Sequence, residues 1–256
     1  MRLTLTWPWP PTDLSWFFSV KYYNKGDNLN SDYSRYKRSK LSIMAARATI
    51  LTTLQIEILQ TTWIDHLFPS LQKEERHLRD NPVQDDEEDL CGVGEQIDAI
   101  EKSEKIIRAL YIVGIFHIFE QHMIDSFYQL GRQSLENSLT EKNEEKNKNE
   151  EKKIIDLNDL IDMFRKAWSI DLDKLESWSK INELRWVSNC VKHGEGPSCE
   201  KLKKVKPDWF KHPHTGEIEL AGFDLEIPPD FLEQAIKDVK NFLENLQVKL
   251  KNHPNS

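Results

Sequence analysis

The chain has 256 residues, 38% of them hydrophobic, and its 43 acidic side chains outnumber 35 basic ones for a net charge of -8. That length suits one large domain with a real core, or one domain with appendages. The acidic balance excludes a protein that coats nucleic acid by bulk electrostatics, though it leaves room for a local basic site.

Residues 1–43 read as an irregular arm. Trp7-Pro8-Trp9-Pro10-Pro11 cannot be helical, and the stretch from Tyr22 to Lys40 is polar and basic. The prolines also interrupt the apolar N-terminal stretch, and no small-residue cleavage site follows, so the segment does not read as an export signal. Met44 opens a cleaner pattern and is an alternative start to Met1. No run of about 18 apolar residues occurs, so no membrane-spanning helix and no membrane partner are expected.

A helical domain is expected over 44–256. Ala45 to Leu71 reads as a first helix, with Ile50, Leu51, Leu54, Ile58, Leu59, Trp63, Ile64 and Leu67 as its apolar stripe and Pro69 as its limit. Residues 80–94 hold Pro82, an acidic run, Gly92 and Gly94, and read as a loop. Glu95 to about Arg132 reads as the longest helix. Ile112, Phe116, Phe119, Met123, Phe127 and Leu130 share its inner face, and Gly114 offers close packing. Glu120 interrupts that face. A carboxylate there needs a partner: an arginine of a neighbouring helix in a structural role, or Arg185 in an active cleft. Residues 135–153 are a charged linker or a solvated helical extension.

Ile154 to Trp168 reads as a third helix with Ile155, Leu157, Leu160, Ile161, Phe164 and Trp168 inside. Asp171 or Asp173 caps a fourth, which ends at His193. Ser198 caps a short turn through Lys204, and Pro207 stops it. Residues 212–228 alternate weakly as a small hairpin. Pro229 or Asp230 opens a last helix, striped by Phe231, Ala235, Ile236, Val239, Phe242, Leu243, Leu246 and Leu250. The expected fold class is all-α, a bundle of about five helices.

The stretch from Ile181 to Gly196, INELRWVSNCVKHGEG, carries the candidate site. At about 100° per residue, Arg185, Asn189 and His193 stand one above another on a single helix face. Leu184, Val187 and Val191 fall on the other side. Lys192 sits beside the polar face, and Gly194 is a natural helix stop. His193 thus lies at a helix C-terminus, where the dipole favours positive charge. An imidazole there, flanked by fixed cations, suits acid–base work on an anionic substrate. The plainer reading is a solvated helix face.

Two stretches, residues 109–127 (ALYIVGIFHIFEQHMIDSF) and residues 181–210, together resemble the HEPN superfamily. The resemblance spans about residues 95–250. It implies a small helical bundle, often dimeric, and in active members a metal-independent endoribonuclease without cofactor. Such enzymes are common in toxin–antitoxin and phage-defence systems, so an antitoxin or sensor protein is an implied partner beside RNA and a second copy. Asn189-Cys190-Val191-Lys192-His193 matches the Asn-x-x-x-His half of the family motif. Ser188 stands where the family's arginine normally precedes the asparagine, and the nearest arginine is Arg185, one turn earlier. The resemblance therefore implies His193 and Asn189 as catalytic; the helix face adds Arg185 as a substitute for the family's arginine and Lys192 as substrate-binding, with Glu120 and Ser188 as supporting residues.

Two rivals stand beside this reading. One is a non-catalytic HEPN-like module for dimerisation or partner binding, consistent with the displaced arginine. The other is structural zinc on Cys190, His193, Cys199, His212 and His214, although no Cys-x-x-Cys pairing occurs and Cys190 falls on the core side. The favoured reading assigns no metal. The cysteines, Cys91, Cys190 and Cys199, form no evident paired framework, which points to a reducing, cytoplasmic compartment. No glycine-rich phosphate loop, nucleophile elbow or HExxH occurs.

Overall fold

A computed structural model of the chain describes residues 29–81, 92–140, 156–211 and 225–252. These are mostly helical: α1 Leu29–Thr61, α2 Phe68–Asp80, α3 Val93–Thr140, α4 Leu157–Trp168, α5 Trp178–His193, α6 Pro197–Val205 and α7 Phe231–Asn252. No strand occurs among the described residues. The all-α expectation therefore stands. Trp7 and Trp9, and residues 212–224 of the expected hairpin, lie outside the described residues; residues 225–228 are irregular.

The long α3 is the centre of the bundle. Ile112, Ile115, Phe116, Phe119, Met123 and Phe127 are all buried along it. Aromatic contacts tie this face to its neighbours: Phe119 meets Phe242 of α7 edge-on at 5.5 Å, and Phe127 meets Phe164 of α4 at 4.8 Å. Trp178 at the start of α5 completes the set, 5.7 Å from Phe242. Each such pair adds about 0.5–1.5 kcal/mol beyond area burial. Helix α3 continues past Arg132 because no breaker follows before Thr140. Gly131 lies inside the helix, where a Cβ would overlap the Met163 side chain of α4. The glycine therefore permits the close α3–α4 approach and is not a stop.

The arm expected over 1–43 is shorter than the sequence suggested. Helix α1 begins at Leu29, and Leu41 is already in the core. Residues 29–40 contain no proline or glycine, so nothing there breaks the helix. Pro69 does not end the helical run either. A π-helical turn, Thr62–Leu67, precedes it, and the Phe68 N–H donates to the Trp63 carbonyl. The widened turn shifts the hydrogen-bond partners past the position where proline lacks an N–H. Trp63 is fixed there between Phe68 at 5.6 Å and Tyr111 of α3 at 5.4 Å.

The inner face of α1 also differs from expectation. Leu41, Ala45, Ala48, Thr52 and Ile56 are buried, while Ile50 is 65% exposed and Leu54 53%. Ile43, Ile58, Ile64 and Leu67 are exposed as well. Small residues on the inner side let α1 lie close along α3 and α7. Leu59 touches α3 at Gly114, where a Cβ would sit 3.5 Å from its Cδ1. By length and composition the run Lys40–Asp80 passes as a membrane-span candidate, and only 28% of its apolar window is buried in the bundle.

Cys190 and Cys199 are joined by a disulfide, their Cα atoms 5.0 Å apart. This corrects the expectation of unpaired cysteines and removes the premise from which a reducing compartment was read. The pairing was hidden because the α5–α6 turn, which brings the two together, is a tertiary feature of two positive-φ glycines, Gly194 at 69° and Gly196 at 146°.

Candidate active site on helix α5

Helix α5 separates two faces by its own periodicity. Ile181, Leu184, Val187 and Cys190 are buried, Arg185 and Asn189 are half-buried, and Lys192 and His193 are exposed at the open end. Gly194 follows as the cap, its N–H bonded to the Cys190 carbonyl at 2.9 Å. Its positive φ suits glycine, though its ψ of -110° lies outside the left-handed helical well. The expected polar face is therefore present, with His193 at its solvent end.

Each half-buried member is held by a neighbouring element. The Arg185 Nη1 donates to Asn158 Oδ1 of α4 at 2.8 Å. The Asn189 Nδ2 donates to Ser198 Oγ of α6 at 3.4 Å. Eight residues of rise separate Arg185 from His193 by about 12 Å along the axis. The two share a face, but Arg185 is anchored at α4, well away from the His193 end. Lys192 is the cation next to the imidazole.

Glu120 does not pair with Arg185. Among the described residues its carboxylate accepts the Leu157 N–H at 3.3 Å, at the first residue of α4. Asp156 caps the same helix, its Oδ1 accepting from the N–H groups of Asn158 at 2.8 Å and Asp159 at 3.0 Å. Two carboxylates thus meet the positive end of the α4 dipole. Glu120 acts on Arg185 only at one remove, by fixing the helix start from which Asn158 reaches. Sequence reasoning missed Asn158, because its only local signal is a place just after a capping aspartate.

Ser188 has no supporting role on this face. It is fully buried, and its Oγ has no hydrogen-bond partner among the described residues. The position before Asn189 points into the core, so an arginine there would be buried in this bundle.

The zinc alternative loses its thiolates, because Cys190 and Cys199 are bonded to each other. Among the described residues no cluster of three or more His, Cys, Asp or Glu is arranged to hold a metal; His212 and His214 lie outside them. No family model, no curated protein and no solved structure matches the chain.

Elsewhere, His122 of α3 is half-buried and shares a hydrogen bond with the buried Thr52 of α1, Nδ1 to Oγ1 3.2 Å. Burial holds its pKa below the usual histidine value, with Arg47 pushing the same way and Asp125 opposing. It stands on the α1–α3 seam, apart from the α5 face.

Proposed function

We propose that the chain is a metal-independent endoribonuclease of HEPN type, working as a homodimer with His193 at its centre. The observation that carries this reading is the exposed Lys192–His193 pair at the end of α5, continuous with the Asn189 and Arg185 face. RNA supplies its own nucleophile. A base takes the proton of the 2′-hydroxyl, the oxygen attacks the adjacent phosphorus, and an acid protonates the departing 5′-oxygen. The products are a 2′,3′-cyclic phosphate and a 5′-hydroxyl.

One imidazole cannot be base and acid at the same moment, so two His193 side chains from two copies fit the chemistry. Lys192 neutralises the phosphorane charge beside His193. Arg185, two turns away, suits a neighbouring phosphate, and Asn189 orients the strand. A toxin or phage-defence role, with an antitoxin or sensor as a further partner, belongs to the same proposal. Incubation of the purified chain with single-stranded RNA in EDTA tests it. Cleavage is expected from the wild type and not from His193→Ala.

A second reading has its own observation. Arg185 is bound to Asn158, and the position before Asn189 is buried serine. Both favour a non-catalytic HEPN-like module for dimerisation or partner binding. Absence of cleavage by a dimeric, folded wild type selects it.

A further inference from the structure

The α5–α6 turn folds α6 back along the flank of α5, and three contacts mark the pairing. Asn189 meets Ser198, the Lys201 Nζ lies 5.9 Å from the centroid of the Trp186 ring, and Lys206 pairs with Glu183 at 3.1 Å. Moving back along α5 from Asn189 to Glu183 thus means moving forward along α6 from Ser198 to Lys206. Trp186 and His193 are seven residues apart on α5, nearly the same angle and about 10 Å of rise. A half-buried indole therefore stands on the same strip as the imidazole, with Asn189 between them.

One cation, Lys201, is placed against this ring, in a chain that is acidic overall; Lys203 lies over Phe210 and Lys206 over Trp209. Four lysines fall between residues 201 and 206, at Lys201, Lys203, Lys204 and Lys206. Lys203 and Lys206 are engaged, with Glu200 and Glu183. Lys201 is exposed and pairs with no carboxylate among the described residues; its contact with Trp186 is near the outer limit of a cation–π interaction, about 6 Å. A lysine held this loosely can exchange the ring for a phosphate at little cost.

We infer that Trp186 and Lys201 form a nucleobase subsite for single-stranded RNA, the indole stacking a base and the ammonium holding its phosphate, one to two helical turns from the phosphate at His193. The inference rests on the ribonuclease reading for its substrate class and adds the strand's direction, along α5 from His193 toward Glu183. Stacking on a π-face tolerates any base, so the subsite selects unpaired strand over duplex and is indifferent to sequence. Trp186 and His193 both belong to α5, so the helix itself fixes the spacing between the subsite and the imidazole.

The probe is a fully 2′-O-methylated single-stranded RNA oligonucleotide, which lacks the attacking hydroxyl and so reports binding without cleavage. Intrinsic tryptophan fluorescence and anisotropy are read together. The single strand is expected to quench the wild type and to bind more tightly than the same sequence as duplex. Trp186→Phe keeps a ring and is expected to bind within about two-fold while losing part of the quench. Trp186→Ala is expected to weaken binding at least about five-fold. Lys201→Glu, an exposed change that leaves the core alone, is expected to weaken it at least five-fold with a shallower salt dependence. If Trp186→Ala fails to fold, Lys201→Glu and Trp186→Phe decide the matter. Wild-type affinity in Lys201→Glu, equal binding of duplex, an unchanged quench in Trp186→Phe, or no binding by the wild type overturns the subsite. Unmethylated RNA separates the two claims. Binding through Trp186 without cleavage keeps the subsite and removes the nuclease, whereas cleavage with unaltered KM in Lys201→Glu keeps the nuclease and removes the subsite.

Discussion

Replacing Ile56 and Ile50 by alanine, one at a time, tests which side of α1 faces the bundle. Ile56 is fully buried, whereas Ile50 is 65% exposed only six residues earlier. Ile56→Ala removes three buried carbons and leaves a cavity that a packed core closes only in part. Such changes cost about 2–5 kcal/mol, and a value near 3 is expected for a side chain enclosed on all sides. For a chain of this size that lowers Tm by about 6–12 °C. Ile50→Ala removes an exposed side chain and gains a little helix propensity, so its net effect is expected within about 0.5 kcal/mol of zero. Thermal and urea unfolding of the full chain, followed by circular dichroism, reads both. Equal destabilisation by the two changes, or a larger cost at Ile50, would mean that α1 is rotated and that the Leu41, Ala45, Ala48 and Ile56 face is not the core face.

Further outcomes follow from individual contacts. Asp156→Ala removes the side-chain acceptor for two N–H groups at the start of α4 and is expected to cost about 1 kcal/mol in urea unfolding. For His122 the folded pKa lies below the unfolded value of about 6.5, so the unfolded chain takes up the proton first as pH falls. Its contribution is full above that value and is lost on acidification through it; His122→Gln should flatten the stability profile between about pH 7 and 5, and an unchanged slope refutes the assignment. Alkylation of the denatured, unreduced chain should add one adduct, leaving Cys190 and Cys199 unmodified until reductant is added; three adducts without reductant contradict the bond.

The parts of the fold that were legible in sequence are those whose large apolar residues lie on the buried side. On α7 every expected stripe residue from Phe231 to Leu250 is buried, and on α3 the run Ile112, Phe116, Phe119, Met123 and Phe127 is as well. Helix α1 misled because its inner side is built partly from Ala45, Ala48 and Thr52, and its larger Ile50 and Leu54 face outward. Periodicity weighs residue size, whereas close helix approach rewards small side chains. The α5 face could be read from spacing because it is local to one helix. Its fixings could not: Asn158 and Ser198 come from other elements, and the partner of Glu120 is a backbone N–H that no side-chain pattern reveals. Ser188, seven residues after Ile181 and four after Leu184, falls on the inner side by helical spacing alone, while Asn189, four after Arg185, falls on the polar side.

The role proposed for His193 is acid–base cleavage of RNA at the open end of α5. Its most direct test is end-group analysis of single-stranded RNA incubated in EDTA with the wild type and with His193→Ala. Fragments ending in a 2′,3′-cyclic phosphate and beginning with a 5′-hydroxyl are expected from the wild type, and intact RNA from a His193→Ala protein that unfolds at the wild-type temperature. Cleavage at the wild-type rate by His193→Ala, or fragments carrying a 5′-phosphate, would contradict it.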